Sequence, residues 1–282
     1  MRSEDNRVGY LQIIVAMIIW GSVGIVARFI PYSSKIIVFY RVLFAFISLT
    51  VYIFATGNFK MNLEGKKLFT LGAGFFLALN WLFFFRAVKT TTIANATISY
   101  YTSPIILNIL AVIVLKEKLL KKTIISLIIA FTGLLFIISD GSQAALVNNK
   151  LGIIYGLTAA FFYALFAITN KKITGLSSLK TTFIQSGVAV LSFIPFVVPI
   201  TIPNLKSLLL LLIMGVFHTA LALILYVSGL KKIKAQSVGV LSYLDPVSAV
   251  ILAALFLGEI PSILTLIGAV LILGSGYILM KK

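Results

Sequence analysis

Asp245 is the one acidic residue of this 282-residue sequence that lies deep in an apolar run; Glu4, Asp5, Glu64, Glu117, Asp140 and Glu259 fall near termini, in connections or at run ends. A carboxylate in such surroundings is costly unless it is protonated, paired or facing water. It reads either as a proton or cation site or as a protonated group hydrogen-bonded to its neighbours. His218, the single histidine, is of a type that titrates near neutral pH; it reads as a functional group or as a structural hydrogen-bonding one. Arg41 lies about six residues into its run, roughly 9 Å at 1.5 Å per residue, so its side chain is expected to snorkel to a headgroup region. Gln185 is its counterpart in the second half when a small gap is allowed. With no cysteine and one histidine, a disulfide scaffold, a thiolate metal site and a His-rich centre are excluded, and no cofactor or metal is expected. Gly65-Lys66-Lys67 lacks the upstream glycine and the Ser/Thr of a phosphate-binding loop.

These groups sit in a chain that is 60% hydrophobic and 11% charged. Soluble domains are about 45–50% apolar and about 25% charged, so a globule of this composition would lack the polar surface to cover itself. A membrane-spanning helix needs about 20 apolar residues. Ten such runs are found, at 9–29, 36–55, 68–87, 92–115, 123–139, 151–169, 181–198, 207–229, 235–257 and 262–280. Runs such as Thr123 to Ser139 show no alternation of polarity, which argues for a helical bundle rather than a barrel. The first run is too long for a secretory leader and lacks a small-residue cleavage site, so it is expected to be retained.

The net charge of +17 suggests a nucleic-acid binder until its distribution is read. The basic residues cluster at run ends, not along one face. Seventeen fall on the side of the termini, six on the other, and Arg41 inside a run. That bias places both termini in the cytoplasm, and an even helix count, which puts them on one side, agrees. The expected partners are the lipid bilayer and a small-molecule substrate, with no nucleic acid; a homodimer is left open.

At an offset of 142 residues, Ser99 to Lys118 aligns without a gap on Leu241 to Ile260, pairing Tyr101 with Tyr243, Pro104 with Pro246 and Glu117 with Glu259. The chain thus divides into repeats over 1–140 and 150–282, each of five helices, and an odd number inserts the second copy upside down. Such inverted repeats underlie two-sided access in many secondary transporters. Pro104 and Pro246 lie near the middle of their runs, where a proline is expected to free the carbonyls of Tyr100 and Ser242. Both are candidate hinges; a kink that only shapes packing is the other reading.

The run IIWGSVGIVAR, FYRVLFA in the second helix, the two Tyr-x-x-Pro motifs and the closing LGEIPSILTLIGAVLILGSGY together resemble the drug/metabolite transporter superfamily, in its ten-helix EamA-type branch. The resemblance covers nearly the whole chain. One departure is Lys116, where the motif LGE would place glycine. The resemblance implies two inverted five-helix halves around a cavity lined by helices 1, 3, 4, 6, 8 and 9. On those helices lie Trp20, Asn80, Trp81, Tyr100, Tyr101, Tyr163, His218, Tyr226 and Tyr243, with Asn95, Asn108 and Gln236 as amide groups. All are candidate substrate-binding residues, and each has an alternative use as helix–helix glue or interfacial anchor.

The function expected is secondary transport of small metabolites, foremost amino acids or related compounds moving outward, with Asp245 as the coupling group. Uptake or exchange of a nucleotide-like or sulfonium metabolite is the second reading. An intramembrane transferase is disfavoured because Asp245 and His218 have no third partner in view, and a channel because no span shows a charge ring or filter loop. Phosphate-bearing substrates are disfavoured because Arg41 is the only cation inside a span.

Overall fold

A computed structural model describes residues 2–57, 66–139, 149–258 and 260–281. Among the described residues ten helices are long and apolar enough to cross a membrane: span 1 Glu4–Arg28, span 2 Ser34–Ala55, span 3 Lys67–Thr90, span 4 Asn95–Leu115, span 5 Lys121–Ile138, span 6 Lys150–Lys172, span 7 Ser178–Val197, span 8 Leu205–Lys232, span 9 Ala235–Leu257 and span 10 Ile263–Met280. In hydrocarbon a backbone can satisfy its polar groups only internally, and a helix does this within one segment. The outward faces carry residues such as Leu255, Phe256 and Val270, exposed in the isolated chain and suited to lipid.

Helix starts are marked locally. Thr92, Ser177, Asn204 and Ser262 each accept a backbone N–H three residues on. The start of span 9 is capped from across the molecule, where the Glu117 carboxylate accepts from the amides of Ala235 at 3.0 Å and Gln236 at 3.3 Å. At the lysine-rich ends the ammonium groups take up carbonyls: Lys171 bonds Leu230 O at 2.7 Å and also Ile233 O, and Lys231 bonds Leu176 O at 2.8 Å. Glu259, the repeat partner of Glu117, lies outside the described residues.

The packing has the symmetry of the repeat. Span 3 packs on span 6 as span 8 packs on span 1; span 4 on span 6 as span 9 on span 1; span 3 on span 7 as span 8 on span 2. Spans 2 and 7, 4 and 9, and 5 and 10 each pack on their own counterparts. Gly133 and Gly268 meet where spans 5 and 10 cross. This is the inverted-repeat, all-α membrane architecture expected from the sequence.

Spans 1, 4, 8 and 9 are interrupted. Span 4 comprises Ile93–Tyr100 and Ser103–Leu115, and span 9 comprises Ala235–Leu241 and Leu244–Leu257. Pro104 and Pro246 therefore stand in the first turn of the second half-helix, not in a helix interior. There a missing N–H leaves no bond unmade. At the two breaks, Tyr101 O accepts the Tyr243 hydroxyl at 2.9 Å, and Ser242 O, expected to be free, accepts the Asp245 amide at 3.3 Å. The second half-helix of each ends in a left-handed residue, Gly258 at φ 68° and, in the equivalent place, Lys116 at φ 55°. Span 1 breaks at Ser22, and span 8 carries a π-helical turn, Met214–Leu221, between Leu205–Ile213 and Ala222–Lys232.

Candidate functional site

A cavity of about 250 Å³ lies between the two repeats. Span 3 supplies one wall with Leu77, Asn80, Trp81, Phe84 and Phe85, an i, i+3, i+4, i+7, i+8 stripe on one helical face. Met17, Trp20 and Val23 come from span 1, Tyr100, Tyr101 and Ser103 from span 4, Tyr163 and Phe166 from span 6, Ser242 and Asp245 from span 9, and Arg41 from span 2.

The broken helices cross beneath this cavity. Tyr101 and Tyr243, equivalent in the repeat, stack with ring centroids 6.1 Å apart. Tyr101 donates its hydroxyl to Asp245 Oδ2 at 2.8 Å, and Tyr243 donates to the Tyr101 carbonyl. Tyr163 and Ser242 hydroxyls are 3.1 Å apart, and Asn80 donates to Ala159 O at 2.9 Å, binding span 3 to span 6. Aromatic contacts continue from Phe84 to Tyr100 (4.6 Å), Tyr100 to Tyr163 (6.1 Å) and Trp20 to Tyr226 (5.2 Å).

Arg41 departs from expectation. It does not snorkel; it is 7% exposed and reaches the cavity. Its Nε donates to Thr219 Oγ1 at 3.0 Å, its Nη2 to the His218 carbonyl at 3.4 Å, and the guanidinium lies 5.1 Å from the Trp81 ring centroid. Gln185, its proposed counterpart, is buried and donates to Asn170 Oδ1 at 2.8 Å. Two glycines allow the charged residues their places. A Cβ on Gly215 would stand 2.9 Å from Arg41 O, and one on Gly21 2.7 Å from Asp245 O. Each lets a neighbouring helix run directly against the backbone that bears the charge.

Of the residues singled out in the sequence, Trp20, Asn80, Trp81, Tyr100, Tyr101, Tyr163 and Asp245 line the cavity. Six others are placed elsewhere. Tyr226 is fully buried behind Trp20, Tyr163 and Phe166. Tyr243 lies under Tyr101. His218 is held by Ser22, whose hydroxyl lies 2.8 Å from Nε2 and also donates to Ile19 O at 2.7 Å. Asn108 donates to Pro104 O at 2.9 Å and Gln236 to Lys118 O at 3.4 Å, both within the crossing of spans 4 and 9. Asn95 bonds Thr91 Oγ1 at 3.2 Å in the first turn of its helix. Span 8, expected on the cavity wall, is thus covered by Trp20, and span 2 takes its place through Arg41. Phe84, Phe85 and Leu77 carried a usable signal, the helical spacing from Asn80 and Trp81; Arg41 was marked by its charge inside a run, but its facing depends on how span 2 is rotated.

The EamA-like transporter family model matches residues 7–139 and again 150–281. The chain belongs to the EamA-like transporter family. It is similar to YxxF, an uncharacterized transporter of Bacillus subtilis (strain 168), at 30% identity over 275 residues, 96% of this chain and 88% of that one. Protein RarD of Salmonella typhimurium is 24% identical over 274 residues, 93% of this chain and 90% of its own. A solved structure covers 99% of this chain and 97% of its own with a TM-score of 0.85 at 16% identity, a likeness of fold. This EamA-like protein is therefore a multi-pass membrane transporter of the drug/metabolite superfamily, and the two matches of one family model reflect its duplicated build.

Proposed function

We propose that this EamA-like protein is a secondary transporter that carries amino acids or closely related zwitterions out of the cell across the cytoplasmic membrane, with both termini cytoplasmic. The observation that carries the reading is the cavity between two inverted repeats, lined among the described residues by a single cation, Arg41, and a single carboxylate, Asp245. Their hydrogen bonds go to different partners, Thr219 and His218 for Arg41 and Tyr101 for Asp245; in this reading Arg41 meets the carboxylate and Asp245 the ammonium of the ligand. The aromatic wall suits an apolar side chain.

Asp245 is the coupling group in this reading. A carboxylate that a proton or a substrate ammonium can occupy, but not both, exchanges one for the other as the cavity opens to either side. Pro104 and Pro246 are the paired hinges in this reading, which is supported by the break that precedes each of them in spans 4 and 9. The inverted packing gives two states related by exchange of the halves, which is what alternating access requires.

The test is flux of radiolabelled amino acids and related metabolites in proteoliposomes, with and without an imposed proton gradient, for wild type and Asp245→Asn. Gradient-dependent flux lost in Asp245→Asn is the expected result. Flux indifferent to both gradient and substitution would make the protein a facilitator or exchanger and leave Asp245 a structural group. Absence of flux for the whole panel would overturn the substrate class.

A further inference from the structure

We infer that Arg41 is a carboxylate-binding group whose occupation unlatches the π-helical turn of span 8, so that substrate binding and the state of that helix are linked through one guanidinium. The inference rests on the zwitterion reading above.

The argument begins with an imbalance of charge. A guanidinium carries five N–H donors, and the protein takes two of those of Arg41, at Thr219 Oγ1 and His218 O. Among the described residues no carboxylate lies within ion-pair distance of it; its remaining company is the Trp81 face and the tyrosine wall. A buried cation without an anion is costly, and the usual compensation is a counter-charge with paired hydrogen bonds. Arg41 lines the cavity, and the N–H groups left over belong to the fork that recognises a carboxylate in bidentate fashion. The anion that completes the site is the ligand's own.

What Arg41 holds in the meantime is unusual backbone. In Met214–Leu221 the helix is wound as a π-helix, a form that rarely persists without added support and recurs at functional sites. Three side chains support it. Arg41 bonds Thr219 Oγ1, whose own hydroxyl donates back to Met214 O at 3.2 Å across the five-residue π repeat. Arg41 and Trp20 both donate to the His218 carbonyl, Trp20 at 3.0 Å. The His218 ring bonds Ser22, where span 1 itself is broken. A carboxylate that takes Arg41 competes with Thr219 and His218 O for it, and withdraws one of the supports that join spans 1, 2 and 8.

The chain's two tryptophans, Trp20 and Trp81, are both at this latch, so their fluorescence reports on it. The experiment measures binding to purified protein of L-leucine, L-threonine and L-phenylalanine, each alongside its decarboxylated amine and its deaminated acid. Wild type is compared with Arg41→Gln, Arg41→Lys and Thr219→Val, and tryptophan emission is followed in each. Expected for Arg41→Gln is a loss of about 10- to 100-fold for ligands with a carboxylate and none for the amines; Arg41→Lys is intermediate. Thr219→Val, which removes a competitor for the guanidinium, should tighten the carboxylate ligands about 3- to 10-fold and give the ligand-free protein the emission of the bound one. Damage to the fold would not tighten binding, so the opposite signs separate a latch from a structural role. Equal weakening of amines and acids in Arg41→Gln, or carboxylate affinity unchanged in Thr219→Val, would overturn this inference alone. If no probe binds wild type, the zwitterion reading fails and this inference with it.

Discussion

At the scale of the residue, the site is governed by which partner each buried polar group has found. The Tyr101 hydroxyl donates to Asp245 at 2.8 Å, and a hydrogen bond to a charged group contributes about 1.5–3 kcal/mol. Tyr101→Phe and Asp245→Asn should therefore be non-additive in substrate affinity, with a coupling of about 1–3 kcal/mol in a double-mutant cycle; additive effects would mean that the two do not act as a pair. Lys116 is a second case. It holds the left-handed conformation that its repeat partner Gly258 adopts without a side chain. A left-handed L residue costs about 1–2 kcal/mol, so Lys116→Gly should raise stability in a detergent unfolding assay by about 0.5–1 kcal/mol, the remainder being offset by the greater freedom of glycine in the unfolded chain. A loss of stability would show that the lysine side chain has a compensating contact.

At the scale of the element, helices meet where side chains are absent. A Cβ on Gly215 would crowd the span 2 backbone at Arg41 O (2.9 Å) and Ala45 N (3.0 Å), whereas one on Gly274 would meet nothing within 4 Å. Gly215→Val is expected to destabilise by about 1–3 kcal/mol through overpacking and to weaken carboxylate ligands by moving Arg41. Gly274→Ala should leave binding unchanged and stability unchanged or slightly raised, since alanine favours a helix over glycine. The same thermal unfolding and binding measurements check the pair, and equal effects at the two positions would contradict the packing described here. The prolines belong to this scale as well. Substituting Pro104 or Pro246 by alanine supplies the N–H that lets two half-helices join into one. Turnover in proteoliposomes should fall several-fold while equilibrium binding is retained; binding lost in step with turnover would assign the prolines to packing instead of pivoting.

At the scale of the whole molecule, the charge bias and the inverted repeat make a claim about sidedness. Because the sequence contains no cysteine, single cysteines can be placed at will. Lys118 and Lys206 are both exposed and fall on the opposite sides given by the charge count. Lys206→Cys should react with a membrane-impermeant maleimide on intact cells, and Lys118→Cys only after permeabilisation. The reverse pattern would place both termini outside.

Much of this molecule was legible in its sequence because the bilayer imposes a simple rule. Each stretch of about 20 apolar residues must close its own hydrogen bonds as a helix, so ten runs became ten spans and the repeat at Tyr-x-x-Pro became a crossing of two broken helices. Asp245, Tyr101 and the Asn80–Trp81 pair could be nominated from residue type, since polar groups in hydrocarbon must face something polar. What no run or motif contains is the rotation of each helix about its axis. Rotation is decided by packing against neighbours, through the Gly215 contact that sets Arg41 and the Trp20 side chain that covers span 8. That is why Arg41, read from its depth as a headgroup anchor, lines the cavity, and why His218 and Tyr226, read as lining it, stand behind its wall. The π-turn was likewise invisible, because it is held by Arg41, Trp20 and Ser22 from other spans, and sequence spacing within span 8 says nothing of them. The sequence alone determined the helices, their number and their repeat; the tertiary structure alone decided which face of each helix meets the cavity.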